Sequence, residues 1–383
     1  MMPAFSQRFE LALGQRKASG LNRQLSAIKD GNQARMSYNS NHWVNFSSND
    51  YLGLAADKQL SGHFQRGIEL YGNGSAASPL VTGFSPAHAE LEEKLCGWLG
   101  YERAVLFSSG FSANQALLFS LLEKGDDLLQ DKLNHASLIE AGILSPATMR
   151  RFHHNDAKHL GKLINAEQNT LVVTEGVFSM DGDQAPLIEL DTLRSQNCWL
   201  VVDDAHGIGV LGEQGRGSCH AAGIKPDILV VTFGKAFGLC GAAILCDETT
   251  GDYLTQFARH HVYSTAIPPA QAYALTHAVD LISTQQWRRD KLLELSQYYD
   301  NQFKHCDEFV ATNTPIKPLM IGDAQKTVEL AQTARELGFW LTAIRPPTVA
   351  KGKARLRITL TANHSPEDIS ALANAITPML TRN

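Results

Sequence analysis

The sequence predicts an α/β protein, with a large domain on a mainly parallel central sheet and a smaller α+β C-terminal domain. Three observations point there. Four short apolar runs, 104–107, 171–174, 199–202 and 228–232, carry β-branched or aromatic residues, and each ends in a polar or glycine-rich turn. Helical patterns lie between several of them, the signature of βαβ units. After a long helical stretch at about 270–305 the pattern changes to period-two alternation at 354–361.

Taken in order, Phe5, Phe9 and Leu13 recur at helical spacing and predict an amphipathic N-terminal helix. Residues 44–49 read as a short strand entering a turn at 50–53, and 88–99 as a helix with Leu91, Leu95 and Leu99 on one face. The period-two run near the end leaves one of Arg355 and Arg357 facing outward. Ser365 and Pro366 then cap and open a final helix. The expected organisation is an N-terminal arm at 1–48, a large domain at 49–280 and a C-terminal domain at 281–383.

Composition narrows the class of function. The 383 residues are 44% hydrophobic and 19% charged, with a formal net charge of −5, so neither nucleic acid nor an anionic membrane is an expected partner. Six cysteines form no CxxC pair, which fits reduced thiols in a reducing compartment. The first residues carry charges where a signal peptide needs an apolar stretch, and no apolar run reaches the length of a spanning helix. The expected location is the cytoplasm.

In open parallel sheets, ligands collect beyond the carboxyl ends of the strands. The first apolar run ends in Ser108-Ser109-Gly110-Phe111 and a helix follows, so backbone N–H groups there can approach an anion. The others end in EGVFSMD at 175–181, DDAHG at 203–207 and TFGKAFG at 232–238. Singly, each is an ordinary turn, cap or loop residue. Together they supply what pyridoxal 5′-phosphate needs: an amine for its carbonyl, donors for its phosphate and a carboxylate for its ring nitrogen. Lys235 is the expected covalent lysine and base, and Asp203 the partner of the ring nitrogen. His206 is expected at the ring's phenolic oxygen and Thr232 at the phosphate.

The segments NFSSNDYLGL at 45–54, TEGVFSMDGD at 174–183, VDDAHG at 202–207 and TFGKAFG at 232–238 resemble the α-oxoamine synthase family, across almost the whole chain. That resemblance implies the fold-type-I, aspartate-aminotransferase-like architecture of pyridoxal-phosphate transferases. It implies that His135 stacks on the cofactor ring and serves in catalysis, with Gly110 and Phe111 by the phosphate and Ser179 beside the ring. It places Arg23, Asn49, His135, Thr348 and Arg357 at the substrates, Arg357 pairing with the amino acid's carboxylate. Ser264 and Thr265 match residues that reach the phosphate from a second subunit, which implies a homodimer with shared sites.

The runs YSTAIPPA at 263–270 and IRPPTV at 344–349 resemble the branch of the family that condenses L-alanine with a pimeloyl thioester, on CoA or acyl carrier protein, losing CO2. Relatives using glycine with acetyl or succinyl thioesters are the alternative. One loop departs from the family pattern GSGGSR: here it reads GSAASP at 74–79, exchanging two glycines for alanines and a cation for proline. A dinucleotide-binding reading has a motif in its favour, GIGVLG at 207–212, but that motif stands apart from its strand and no clear helix follows it. A cofactor-free binding protein on the same scaffold has the joint presence of Lys235, Asp203, His135 and His206 against it.

Overall fold

A computed structural model of the chain describes residues 5–23, 25–29, 33–38 and 41–380. The strands, in chain order, are β1 (Arg35–Tyr38), β2 (Asn41–Asn45), β3 (Arg103–Phe107), β4 (Asp127–Asp131), β5 (Thr148–Phe152), β6 (Thr170–Glu175) and β7 (Cys198–Asp203). They continue with β8 (Ile228–Thr232), β9 (Ala242–Cys246), β10 (Ile316–Gly322), β11 (Phe339–Trp340), β12 (Thr342–Ile344) and β13 (Ala354–Thr359).

The central sheet has seven strands in the order β3-β9-β8-β7-β6-β4-β5. Only β9 runs against the rest, pairing antiparallel with both β3 and β8. The four apolar runs are β3, β6, β7 and β8, all pointing one way. They are apolar throughout because both faces are covered. Along β7, Val201 packs into one core while Leu200 and Val202 pack into the other, and β8 divides Val230 from Leu229 and Val231 in the same way. Helices Gly110–Leu121 and Ala136–Leu144 contribute to one layer, and Pro86–Leu99 and Pro269–Thr284 to the other.

The expected helical stretch at 270–305 is two helices, Pro269–Thr284 and Gln286–Phe303, parted at Gln285. Beyond it β13 pairs antiparallel with β10 and β12. Every residue of β13 is buried, and Arg355 and Arg357 are 4% and 5% exposed. The expectation that one of them faces outward is therefore wrong. Residues two apart on a strand lie on the same face, so the two arginines point together. In the final helix the Ser365 hydroxyl accepts from the Asp368 N–H at 3.3 Å, and the Asp368 carboxylate accepts from the Ser365 N–H at 3.0 Å.

The N-terminal helix forms as Ser6–Ala18, yet it buries none of its residues in this chain, and Phe5, Phe9 and Leu13 are exposed. The strand expected at 44–49 lies earlier, as β2, and pairs in parallel with β11 through Val44 and Phe339. Among the described residues no helix is long and apolar enough to cross a membrane, and no His, Cys, Asp and Glu cluster is suited to a metal ion.

Candidate active site

The strand ends meet where the sequence points. Glu175 at the end of β6 and Asp203 at the end of β7 are partners in register. Lys235 lies in the turn just beyond β8, and His135 caps the helix that follows β4. Burial lowers the Lys235 amine to about 8, with the Arg357 charge acting in the same direction and the carboxylates of Asp203, Glu175 and Asp204 opposing it. An amine with that value is half neutral near pH 8, which suits a nucleophile and base.

Asp203 is buried, and both its oxygens accept hydrogen bonds. Oδ2 takes one from Asn114 Nδ2 at 2.8 Å and Oδ1 one from the Ala205 N–H at 3.1 Å. Beside it, burial holds the Glu175 carboxyl well above its ordinary value, reinforced by the Asp203 charge. His135 Nδ1 accepts from the Ser137 N–H at 3.2 Å and sits 2.8 Å from the Ser137 hydroxyl. Desolvation keeps this imidazole below its usual range, with the Lys235 charge in support and Asp203 opposing.

His206 is 4% exposed and is driven well below its ordinary value, by burial first and then by the charges of Lys235 and Arg357. Its Nδ1 shares a hydrogen bond of 2.5 Å with the Tyr51 hydroxyl. Arg357 donates to the Ser179 carbonyl at 2.6 Å, Thr359 Oγ1 at 2.9 Å and Asn49 Oδ1 at 3.1 Å. Lys235, Asp203, His135, His206, Ser179, Asn49 and Arg357 thus converge on one edge of the sheet.

At the other end stands the helix that starts at Gly110. Ser109 caps it through the Ser112 N–H at 3.1 Å, and the first-turn N–H groups of Gly110 and Phe111 point out of the helix. A Cβ on Gly110 would come within 3.6 Å of the Thr232 hydroxyl, so two strand ends close on the same spot. Thr232 donates that hydroxyl to the Gly241 carbonyl at 3.1 Å. Ser264 and Thr265 line a small cavity with Ser108 and His88. Arg23 and Thr348 are exposed, and the Thr348 N–H closes a turn onto the Arg345 carbonyl at 3.0 Å.

These groups fit pyridoxal phosphate. A buried amine of lowered pKa faces a buried carboxylate, an imidazole flanks them, and a glycine-opened helix N-terminus stands at the other end. The family model for aminotransferase class I and II matches residues 41–376. An 8-amino-7-oxononanoate synthase of Vibrio parahaemolyticus is 62% identical over 98% of both chains. One of Aliivibrio salmonicida is 60% identical over 99% of this chain and 100% of its own. The chain belongs to the 8-amino-7-oxononanoate synthase family. Among solved structures, the Sphingomonas wittichii serine palmitoyltransferase superposes with a TM-score of 0.90 at 27% identity, covering 98% of each chain. The 8-amino-7-oxononanoate synthase of Francisella tularensis gives 0.79 at 30% identity, covering 88% of this chain and 97% of that one.

An 8-amino-7-oxononanoate synthase is an acyltransferase, and pyridoxal phosphate is the cofactor here. The first glycine of the dinucleotide-like motif has a different task. A Cβ on Gly207, or on neighbouring Gly176 and Gly217, would collide with the Asp204 carboxylate, which accepts from the Ser218 N–H at 2.8 Å and from its hydroxyl. The divergent 74–79 loop is tied to the 264–267 segment, with Ser75 donating to the Ile267 carbonyl at 2.6 Å and Ala77 accepting from the Ala266 N–H at 3.0 Å. Asn114, Glu175 and Tyr51 are the site residues that sequence reasoning passed over. Glu175 and Tyr51 lay inside the quoted motifs, whereas Asn114 gave no signal beyond its place in a helical pattern.

Proposed function

We propose that the chain condenses L-alanine with a pimeloyl thioester, carried by CoA or acyl carrier protein, to give 8-amino-7-oxononanoate, CO2 and the free thiol in biotin biosynthesis. The observation that carries this reading is the convergence of Lys235, Asp203, His135 and Arg357 on one sheet edge, in a chain of this family. Bound pyridoxal phosphate supplies the electron sink that makes the amino acid's Cα acidic.

The protein's own residues do the rest. Lys235 holds the cofactor and then takes the Cα proton, its lowered pKa leaving a useful neutral fraction near neutrality. Asp203 would pair with the ring nitrogen, and neutral His206 would offer a hydrogen bond at the phenolic oxygen. His135 would flank the ring, and with donors on its Nδ1 it holds a proton at Nε2 for an oxygen of the acyl group. Arg357, steadied by Asn49 and the Ser179 carbonyl, orients the alanine carboxylate. Gly110 and Phe111 would receive the phosphate, joined by Thr232 once its hydroxyl turns from the Gly241 carbonyl, while Arg23 and Thr348 would meet the acyl chain.

Ser264 and Thr265 complete the phosphate site of a second copy, so the working unit is a homodimer, and its setting is the cytoplasm. A panel of amino acids against acyl thioesters tests the specificity. L-alanine with pimeloyl-CoA or pimeloyl-acyl carrier protein should release CO2 and thiol together. Faster turnover of glycine with acetyl-CoA or succinyl-CoA would assign the chain another reaction of the family.

A further inference from the structure

We propose that Asn114 is a positioning residue that sets the direction of the hydrogen bonds at both groups facing the cofactor ring, Asp203 and His135. The inference rests on the placement of the ring between those two residues. Asn114 is 1% exposed and lies in the first turns of the helix that opens at Gly110. Its amide nitrogen carries two protons, and both are committed. One goes to Asp203 Oδ2 at 2.8 Å and the other to Ser137 Oγ at 3.0 Å. Its own Oδ1 is buried with no hydrogen-bond partner among the described residues.

That arrangement has a single polarity. An amide N–H can only donate, so the Asp203 oxygen it touches is held as an acceptor, and the Ala205 N–H does the same to the other oxygen. Donors on both oxygens hold the Asp203 side chain in one orientation. On the other branch, the Ser137 hydroxyl accepts from Asn114 and so turns its proton toward His135 Nδ1, 2.8 Å away. The Ser137 N–H aims at the same nitrogen from 3.2 Å. Two donors converge on Nδ1, which leaves the ring proton on Nε2. Turning the amide over would bring its oxygen against a carboxylate, so Asp203 fixes the orientation of Asn114 in return. The buried Oδ1 is the desolvation penalty of this arrangement.

The test uses holoenzymes of the wild type, Asn114→Asp, Asn114→Ser and Ser137→Ala. Three readouts apply: the pH titration of the bound cofactor's visible absorption, kcat against KM for L-alanine, and the melting temperature. Asn114→Asp keeps the shape but removes both donors. It should move the absorption midpoint by about half a pH unit or more and lower kcat by about 10–100-fold, with KM changing less than about threefold. Asn114→Ser, which retains one donor, serves if the Asp variant does not fold, and should show a smaller shift in the same direction. Ser137→Ala removes the hydroxyl link to His135 and leaves the backbone N–H on Nδ1, so kcat should fall by less than in Asn114→Asp while the absorption titration stays in place. Variants that melt lower but titrate and turn over like the wild type would reduce Asn114 to a packing role and overturn the proposal. A wild-type protein that takes up no pyridoxal phosphate would overturn the ring placement itself, and the proposal with it.

Discussion

The Tyr51 hydroxyl and His206 Nδ1 are 2.5 Å apart in a space sealed from solvent, with Tyr51 fully buried and His206 nearly so. Burial pushes the phenol up to about 12 and the imidazole well down, so both groups stay neutral across the working pH range. Tyr51→Phe strips His206 of this bond and leaves a buried ring nitrogen unpaired. Stability measured by urea unfolding should fall by about 1–3 kcal/mol. Unchanged stability, with the same kcat/KM, would mean that the bond orients nothing.

In its proposed role Lys235 would attack the cofactor's carbonyl only as a neutral amine. With its pKa lowered to about 8, chiefly by burial, the rate at which the apoprotein takes up pyridoxal phosphate should rise with pH and level off above that value. Stopped-flow absorbance across this range reads the midpoint. A midpoint near 10.5, the ordinary value for lysine, would contradict the assigned environment. Lys235→Ala should bind the cofactor without a band that borohydride abolishes.

His154 gives a pH-dependent contribution to stability of known sign. Burial opposes its charge, but hydrogen bonds of 2.9 Å to Asp131 and 2.7 Å to Asp183, with the charges of both, outweigh it and raise the imidazole to about 10. A folded pKa above the unfolded one stabilises fully below the unfolded value of 6.5 and fades as pH rises through about 10. The stability gap between wild type and His154→Gln, from denaturant titrations, should therefore be widest near pH 6 and narrow steadily toward pH 10. A gap that widens with pH would reverse the assignment.

Ala76 sits at φ 56°, in the left-handed region, within the loop where the family pattern has glycine. Ala76→Gly removes a steric cost of about 1–2 kcal/mol and adds unfolded-state freedom worth about 0.4–1 kcal/mol. A net gain between about 0 and about 1.6 kcal/mol is expected, read as a modest rise in melting temperature. A clear loss of stability would mean that the Ala76 methyl makes a contact worth more than the strain.

Much of the central sheet was legible because β3, β6, β7 and β8 each hold a mostly apolar run, with charges kept to their ends. The sequence reading missed β4 and β5 for a physical reason. Asp127, Gln130 and Asp131 are buried in β4 but bonded, as in the 2.7 Å pair of Asp127 with Arg150, and β5 at the sheet's edge carries two arginines. β9 is apolar enough to have been seen, yet its reversed direction depends on the turn after Lys235 and not on composition. In the site, Lys235, Asp203 and His206 could be read because they stand at strand ends or in the turns just beyond them. Asn114 could not, since its role exists only where helix, strand and cap converge from three separate stretches of chain.

The parallel pairing of β2 with β11, together with the 2.6 Å Arg35–Asp368 ion pair, welds the beginning of the chain to its end. Asn49 leaves that weld just after β2 and meets Arg357 across 308 positions of sequence. Shortening the protein from its amino terminus is therefore not a cosmetic change to a remote tail. A deletion past Arg35 loosens one of the hands that steady Arg357, and its first symptom should be a poorer grip on the amino acid, before any loss of cofactor.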